Sequence, residues 1–258
     1  MKQQIRVNDI GLAPYQAAWD YQERLLQESL QRKAALRNGA AEGAIRPAHH
    51  LLFCEHPPVY TLGKSGQQEH LLINRVQLEE KGIQFAQTNR GGDITFHGPG
   101  QIVGYPIIDL EQFFTDIGKY LRFLEEVIIR VLADYGLQGA RSKGETGVWL
   151  EPDVPGRARK ICAMGVRCSR WVTMHGFAIN INTDMNYFDH IVACGIADKA
   201  VTSLQQELGR AVPLEEVKGK ISRYFGEVFD AEMITTGNST EYTDSTSPAA
   251  SRSHRSQN

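Results

Sequence analysis

The stretch from Arg90 to Ile107, RGGDITFHGPGQIVGYPI, most limits how this 258-residue chain can fold. It places five glycines and two prolines around short apolar pieces. Gly91-Gly92 and Gly98-Pro99-Gly100 bracket a predicted short strand, Ile94 to Phe96. Because glycine lacks a Cβ atom, both ends of this strand can bring a ligand close to the main chain. A pair of tight turns without a ligand is the alternative, since turns also concentrate glycine.

Two side chains in this stretch favour the ligand-binding interpretation. Arg90 supplies a charged donor at one end of the short strand, and His97 supplies a titratable ring at the other. The stretch is not a P-loop, because no Gly-Lys-Ser or Gly-Lys-Thr follows it.

The composition predicts one folded domain over residues 1–234. Hydrophobic residues make up 41% of the chain and charged residues 22%, which is enough apolar material for a sizeable core. From Thr235 onward the chain is rich in Ser and Thr and poor in apolar residues, so we predict a disordered tail over residues 235–258.

The charge balance limits the partners. With 28 Lys and Arg against 30 Asp and Glu, the net charge is −2, so no general attraction to nucleic acid or to a membrane surface is expected. There is no apolar run of membrane-spanning length and no secretory signal at the start, so we expect a cytoplasmic protein.

Hydrophobic spacing predicts four helices and several strands. The predicted helices run from Pro14 to a stop at Asn38-Gly39, from Phe113 to Tyr135 with Gly136 as its cap, near 200–208, and over 214–229. The piece LLFCEH predicts a buried strand followed by a turn in PPVYTLG, and 37–50 predicts a loop. TGVWLEP, KICAMGVRC and WVTMHGFAININ predict successive strands, the last two forming a hairpin and the last being half-buried.

The four cysteines show no CxxC pair, which argues against a disulfide framework and against a zinc site. Cys54, Cys162 and Cys168 lie in strand-like runs, where a thiol is usually a small buried hydrophobe. Cys194 differs, because HIVACGIAD places it before a glycine at a chain reversal. It is therefore the candidate nucleophile, and an unreactive free thiol is the alternative.

A nucleophilic cysteine needs a neighbouring base or cation that favours its thiolate. Two-residue alternation in KICAMGV puts Lys160 on the same apolar face as Cys162, Met164 and Val166. Burial lowers the affinity of a lysine for its proton, so a buried lysine exchanges a proton with a thiol more easily. The alternative is a strand-end lysine whose charge reaches water.

The histidines of the two His-Gly pairs, His97 and His175, can be structural residues or groups of a site. Metal binding by these histidines and the cysteines is not expected, because they lack the spacing of metal ligands.

Taken in order from Leu51 to Leu204, several motifs resemble those of the lipoyl(octanoyl) transferases. These motifs are HPPVYTLG, RGGDITFHGPGQIVGYPI, TGVW, KICAMGV, MHGFAININ, and ACGI followed by VTSL. The resemblance implies an α/β (α+β) fold in which helices flank a mixed, mainly antiparallel sheet, as in the catalytic domains of biotin and lipoate protein ligases. The implied activity is octanoyl transfer from acyl carrier protein to a lysine of a lipoyl domain, the first step of endogenous lipoate assembly.

The resemblance also implies residue roles. Cys194 matches the cysteine that accepts the acyl group, and Lys160 matches its acid/base partner. Ala193 stands where the family usually has proline, which leaves the turn at the nucleophile less rigid. The positions that match substrate-binding residues are Arg90, Gly91, Gly92, Asp93, Ile94, Thr95, Phe96, His97, Ala163, Met164, Gly165, Gly176, Phe177 and Ala178.

The implied partners are acyl carrier protein and the lipoyl domains of 2-oxoacid dehydrogenases and of the glycine cleavage system. No cofactor or metal is expected, because the donor acyl group is carried on the phosphopantetheine of acyl carrier protein, and the enzyme is expected to be a monomer. Since both carriers are typically acidic, we expect a basic rim near the site; a solvated charged surface is the alternative. The basic residues near the motifs are Arg141, Lys143, Arg157, Arg159 and Arg167.

Three other functions compete with this interpretation. An ATP-dependent lipoate or biotin ligase would share the fold, but a ligase that forms an acyl-adenylate does not require the cysteine in ACGI. A non-catalytic module that binds acyl carrier protein would not need both Lys160 and Cys194. A cysteine hydrolase of small thioesters would release free octanoate.

Overall fold

The computed structural model describes residues 2–39, 48–192 and 200–235. The strands are β1 Gln3–Leu12, β2 His49–Glu55, β3 Val59–Leu62, β4 Gln84–Gln87, β5 Ile94–His97, β6 Gln101–Ile107, β7 Gly139–Ala140, β8 Val148–Leu150, β9 Arg159–Ser169, β10 Val172–Asn180, β11 Ala200–Val201 and β12 Ala231–Thr235. The α-helices are α1 Tyr15–Arg37, α2 Arg75–Glu80, α3 Ile117–Ala133, α4 Leu204–Leu208 and α5 Leu214–Phe229. Short 3-10 helices span Gln68–His70, Leu110–Gln112 and Met185–His190.

A nine-stranded sheet forms the centre of the fold. Its strand order is β12-β1-β2-β6-β10-β9-β8-β7, and β11 pairs with the start of β9. Strand β1 is parallel to β12 and β2, whereas β2, β6, β10, β9, β8 and β7 are successively antiparallel. A second sheet has the order β4-β3-β5. The predicted fold class, a mixed and mainly antiparallel sheet flanked by helices, is confirmed.

Helices cover both faces of the large sheet. Apolar residues of α3 recur at helical spacing, at Tyr120, Leu124, Val127, Ile128 and Val131, so one stripe of the helix packs on the sheet together with α5. On the opposite face, α1 packs against β2, β6 and β10. Every residue of β10 is therefore buried, and the prediction of a half-buried strand was wrong. Alternating apolar residues identify one covered face but do not reveal a second helical layer.

The helix predictions differ in accuracy at the boundaries. The predicted α1 and α5 are confirmed, with Pro14 and Pro213 immediately before them. The predicted helix from Phe113 begins only at Ile117, because the side chain of Asp116 accepts a hydrogen bond from Lys119 N at 2.9 Å and caps the first turn.

Two further predictions are corrected. Val59–Leu62 of the predicted PPVYTLG turn is strand β3, which pairs on both sides in the small sheet. In the predicted helix over 200–208, Ala200–Val201 is strand β11, and Ser203 caps a helix that starts at Leu204. The predicted β9–β10 hairpin is confirmed: Ser169 pairs with Val172 across a two-residue turn.

The small sheet has its own apolar core, formed with α2 and the 3-10 helix Met185–His190. A hydrogen bond from Gly91 N to Val166 O of β9, at 3.0 Å, holds the chain just before β5 beside the large sheet. This contact joins the glycine-rich stretch to the wall that carries the KICAMGV motif.

Several predictions fall partly outside the described residues. Residues 40–47 of the predicted loop lie outside them, while its last residues, His49 and His50, belong to β2. Residues 236–258 of the predicted tail also lie outside, and Thr235 ends β12. Among the helices the structure describes, none combines the length and apolar character needed to cross a membrane.

Candidate functional site

A cavity of about 620 Å³ lies where the glycine-rich stretch, β9, β10 and α3 meet. This volume falls within the range of roughly 300–1,000 Å³ that is usual for small-molecule sites. Apolar residues and glycines make up most of its wall. The lining residues are Tyr15, Ser65, Arg90, Gly91, Gly92, Asp93, Ile94, Thr95, His97, Val103, Tyr105, Ile117, Leu121, Glu145, Thr146, Lys160, Ala163, Met164, Gly165, Val166, His175, Gly176, Phe177 and Ala178.

Glycines allow the loop at Arg90 to lie directly against the sheet. A Cβ atom on Gly165 would lie 2.6 Å from Gly91 O, and one on Gly63 would lie 2.2 Å from Gly92 O. Side chains at either position would push the loop away from its neighbours. Gly92 itself has φ of 87°, in the left-handed region that favours glycine.

Arg90 is a buried structural support of this loop as well as part of the cavity wall. Its Nη2 donates to Thr61 O at 2.6 Å and to Thr61 Oγ1 at 2.9 Å, and its Nη1 donates to Gly91 O at 3.0 Å. The guanidinium therefore ties the loop to β3 and brings positive charge to a cavity whose wall is mainly apolar.

His97 is a buried, neutral ring on the cavity wall. Its Nδ1 lies 2.8 Å from Gln101 Oε1 and its Nε2 lies 3.3 Å from Thr61 Oγ1, and the ring stacks on Tyr15 at 6.0 Å between centroids. Burial, together with nearby His56 and Arg90, holds the pKa of His97 well below its usual value. His97 can therefore act as a hydrogen-bonding group at neutral pH but not as a cation.

His175 has a strained backbone in the middle of β10, with φ of 57°. Its Nε2 lies 2.7 Å from Asn89 Oδ1, and its ring meets Trp19 edge-on. Burial and the charges of Arg90 and Arg167 lower its pKa to about 3, so this ring is also neutral. Both histidines of the His-Gly pairs reach the cavity.

Lys160 is a second buried basic residue of the cavity wall, with 7% of its surface exposed. It lies near the start of β9 between β8 and β11, where it pairs in register with Trp149 on one side and Val201 on the other. Its Nζ lies 4.6 Å from the centroid of a Trp149 ring, a distance at which a cation is attracted to the aromatic face. Trp149 is an apolar neighbour of the kind that the sequence predicts for this lysine.

The described cysteines are poorly suited to nucleophilic attack. Cys54 and Cys162 are fully buried, and burial raises the pKa of each thiol above its usual value. Cys168 is partly exposed, but burial also raises its pKa. The predicted nucleophile, Cys194, and Ala193 before it lie outside the described residues. In the part of the chain that is described, no group of three His, Cys, Asp or Glu side chains forms a possible metal site.

The cavity brings together every predicted substrate-binding residue except Phe96. Strand alternation turns Phe96 away from the cavity, opposite Thr95 and His97, and into the core of the small sheet. There it stacks on Tyr187 with 4.5 Å between ring centroids. We therefore assign Phe96 to packing.

The structure adds lining residues that the sequence analysis missed. They come from elements distant in the chain: Tyr15 from α1, Tyr105 from β6, Ile117 and Leu121 from α3, and Glu145 and Thr146 from the turn before β8. The helical stripe of α3 predicted burial of apolar side chains, but no local signal indicates that the first turn of α3 faces a cavity.

The expected basic rim is largely neutralised by neighbouring carboxylates. Arg141 pairs with Glu125 and Glu126, Arg157 with Glu151, Arg159 with Glu151 and Glu207, and Arg167 with Glu23. Lys143 is exposed. These pairs favour the alternative of a mixed, solvated surface over a strongly basic rim.

Comparison with known proteins gives a consistent result. Residues 14–226 match the Lipoyl protein ligase A/B catalytic domain family. An octanoyltransferase of Flavobacterium johnsoniae is 57% identical over 91% of this chain and 100% of its own length. An octanoyltransferase of Cytophaga hutchinsonii is 53% identical over 92% of this chain and 97% of its own length.

Solved structures resemble the chain in fold. A bipartite lipoate protein ligase from Thermoplasma acidophilum superposes with a TM-score of 0.65 and 16% identity, covering 95% of this chain and 90% of that one. A lipoate-protein ligase A bound with ATP gives a TM-score of 0.65 and 14% identity, covering 95% of this chain and 92% of that one. At this identity the likeness concerns the architecture alone.

Proposed function

The chain belongs to the lipoyl protein ligase A/B catalytic domain family, and we propose that it transfers an octanoyl group from acyl carrier protein to a lysine of a lipoyl domain. The observation that carries this proposal is a buried lysine, Lys160, in the wall of an apolar cavity of about 620 Å³. Relatives that are 53% and 57% identical over nearly the whole chain, both octanoyltransferases, support the same activity.

The cavity suits an uncharged acyl chain. Burial of each CH₂ group contributes about 0.8 kcal/mol, so an eight-carbon chain gains its affinity from contact with apolar walls. Val103, Phe177 and Ala178 supply such walls, and His97 and His175 remain neutral beside them. The glycines at Gly91 and Gly165 allow the acyl chain to lie close to the backbone.

In the first half of the proposed reaction, the Cys194 thiolate attacks the carbonyl carbon of the octanoyl thioester. A bond forms between this carbon and the Cys194 sulfur, the bond to the phosphopantetheine sulfur breaks, and the released thiolate takes a proton. Lys160 favours the attacking thiolate by its charge and gives its proton to the released thiolate, so that it enters the second half as a neutral amine. The main-chain N–H of Gly92 stabilises the oxyanion, since that of Gly91 is bonded to Val166 O and Gly165 lies in the β9–β10 ladder opposite Gly176.

In the second half, the amine of the acceptor lysine attacks the octanoyl thioester on Cys194. A carbon–nitrogen bond forms, the carbon–sulfur bond breaks, and Lys160 takes the proton from the amine. No ATP is required, because the donor thioester is already activated. Formation of the more stable amide drives this half forward.

Two observations support Cys194 as the nucleophile. The three described cysteines are buried or have raised pKa values, which leaves Cys194 as the remaining thiol. In addition, Val201, seven residues after Cys194 in the sequence, pairs in register with Lys160. The acceptors we propose are lipoyl domains of 2-oxoacid dehydrogenases and of the glycine cleavage system.

The test is transfer to an apo lipoyl domain without ATP. Purified protein is mixed with octanoyl acyl carrier protein and an apo lipoyl domain, and the mass of the domain is measured over time. One octanoyl group should appear on the domain at the same rate with and without ATP. A requirement for ATP and free octanoate would instead identify a ligase, and release of free octanoate as the main product would identify a hydrolase.

A further inference from the structure

A buried carboxylate lies behind the wall that holds Lys160. Glu125 is on α3 and its side chain is fully buried. Its Oε1 accepts a hydrogen bond from Gly147 N at 3.0 Å. Its Oε2 lies 2.7 Å from Arg122 Nη1 and 3.1 Å from Arg141 Nε. Both oxygens are therefore engaged, as a buried carboxylate requires.

Gly147, which Glu125 holds, lies directly against the Lys160 side chain. A Cβ atom on Gly147 would lie 3.5 Å from Lys160 Cε and 2.6 Å from Cys162 O. With φ of 119°, Gly147 has a backbone conformation that other residues rarely adopt. The closeness of this backbone to the lysine stem thus depends on glycine and on the hydrogen bond that fixes its N–H.

The same short segment supplies the other support of the lysine. Trp149, two residues after Gly147, is buried in β8 and carries the ring that faces Lys160 Nζ. Glu145 and Thr146, immediately before Gly147, line the cavity. The hydrogen bond from Gly147 to Glu125 therefore anchors the point where this segment passes from the cavity wall into the strand beside Lys160.

From this geometry we infer that Glu125 is a positioning residue for Lys160, acting through Gly147. It holds the backbone against which the lysine stem packs and so fixes where the ammonium group lies in the cavity. The inference rests on the proposed role of Lys160 in proton exchange. Because a displacement of about 1 Å can slow a positioned reaction roughly a hundredfold, loss of this anchor should affect the chemical step.

Two substitutions separate the anchor from the ion pairs. Glu125→Gln retains an amide oxygen that can accept from Gly147 N but loses the charge that pairs with Arg122 and Arg141. Glu125→Leu has a side chain of similar size but loses both the oxygen that accepts from Gly147 N and the charge. A matched control is Glu126→Gln, because Glu126 also pairs with Arg141, at 2.9 Å, and lies at the helix surface.

The experiment measures the single-turnover rate of octanoyl-enzyme formation against pH for these variants and for Lys160→Met. We expect Glu126→Gln to match the wild type and Glu125→Gln to stay within about threefold of it. Glu125→Leu should lose about a hundredfold, and the pH profile of its remaining rate should approach that of Lys160→Met. Thermal unfolding of each variant checks that the measured protein is folded.

The outcomes distinguish this inference from the proposed function. If Glu125→Leu acylates at the wild-type rate with the wild-type pH profile, or if Glu125→Gln loses as much as Glu125→Leu, the anchoring role is wrong. If Lys160→Met itself keeps the wild-type rate and profile, the proposed role of Lys160 fails instead. Should Glu125→Leu not fold, the acylation rates of Glu125→Gln and Gly147→Ala are compared instead. The inference then requires that Gly147→Ala loses much more of the wild-type rate than Glu125→Gln.

Discussion

The two polar regions of the cavity differ in how they accommodate burial. Around Tyr15 and Tyr105 the titratable rings are neutral: burial lowers the pKa of His56 to about 4 and that of His175 to about 3, and holds that of His97 well below its usual value. Beside Lys160, by contrast, a buried acidic group is paired: the Glu125 carboxyl contacts two arginines and a backbone N–H.

This difference indicates that one region of the cavity binds the acyl group and the other carries out the chemistry. Neutral rings can border an apolar chain, and the charge of Arg90 beside them is held by hydrogen bonds to Thr61 and Gly91, so the histidine region suits binding of the acyl group. A lysine held by an aromatic ring and by a fixed backbone can exchange protons in a defined position, so the Lys160 region suits chemistry. The predictions below test whether binding and chemistry separate in this way.

The largest effect is expected for Lys160→Met, which keeps the length of the side chain but removes the ammonium group. Positioned acid–base groups typically contribute about 10²–10⁴-fold, so the rate of octanoyl transfer should fall by that range. Lys33→Met is the matched control, because Lys33 is also 7% exposed but pairs with Asp109 and Glu111 away from the cavity. It should lose stability and keep its rate per folded molecule. Equal losses of rate in the two variants would contradict the comparison.

A smaller effect is expected for Gly165→Ala. The added Cβ would lie 2.6 Å from Gly91 O and 3.3 Å from the Arg90 side chain, so the loop must move away from β9. Overpacking of this kind costs about 1–3 kcal/mol in the free energy of unfolding, and we also expect weaker binding of the acyl donor.

Gly219→Ala provides the control for Gly165→Ala. Gly219 lies in α5 with open space around its Cα, so alanine there should raise the free energy of unfolding by up to about 1 kcal/mol. Urea unfolding and donor titration measure the two quantities. A Gly165→Ala protein with wild-type stability and donor affinity would show that the loop does not depend on this close approach.

The neutral histidines predict acid sensitivity. Burial lowers the pKa of His49, His50 and His56 to about 4 and that of His175 to about 3, and holds that of His97 well below its usual value. The unfolded chain, whose histidines titrate near 6.5, therefore binds more protons below that pH. The stability that these neutral rings contribute is complete above pH 6.5 and is lost as the pH falls towards 4.

Each histidine contributes a slope of up to about 1.4 kcal/mol per pH unit in that window. Urea unfolding between pH 7.5 and 4.5 measures the total slope of the free energy of unfolding against pH. The substitution His50→Gln should reduce this slope by the contribution of one histidine. A free energy of unfolding that does not change between pH 7 and pH 5 would show that these rings are not held neutral.

The spacing of apolar residues predicted those helices and strands in which buried residues recur at a single regular interval. The spacing of Leu214, Val217, Ile221 and Phe225 predicted α5 with its observed ends, and Ser169 before Arg170 predicted the hairpin. Strand β1, QQIRVNDIGL, was missed because polar residues interrupt its apolar ones, and its pairing with the distant β2 and β12 provides the stabilisation. Strand β3 was missed because the two prolines before Val59 are typical of a turn.

The site shows the same limit. The positions of Lys160 and His97 follow from strand alternation, because each lies on a strand whose faces alternate, whereas Arg90 lies in the bend before β5 and follows from the glycine-rich motif alone. Tyr15, Ile117 and Glu125 could not be assigned in advance, since only the packing of α1 and α3 brings them near β9 and β10. Phe96 falls within the motif but lies on the other face of its strand.

The central claim is that octanoyl transfer proceeds through a thioester on Cys194. The most direct test is the intact mass of the protein after incubation with octanoyl acyl carrier protein, for the wild type, Cys194→Ala and the control Cys168→Ser. The account predicts one octanoyl adduct on the wild type and on Cys168→Ser, none on Cys194→Ala, and loss of the adduct when an apo lipoyl domain is added. An adduct on Cys194→Ala, or octanoylation of the lipoyl domain by Cys194→Ala at the wild-type rate, would contradict it.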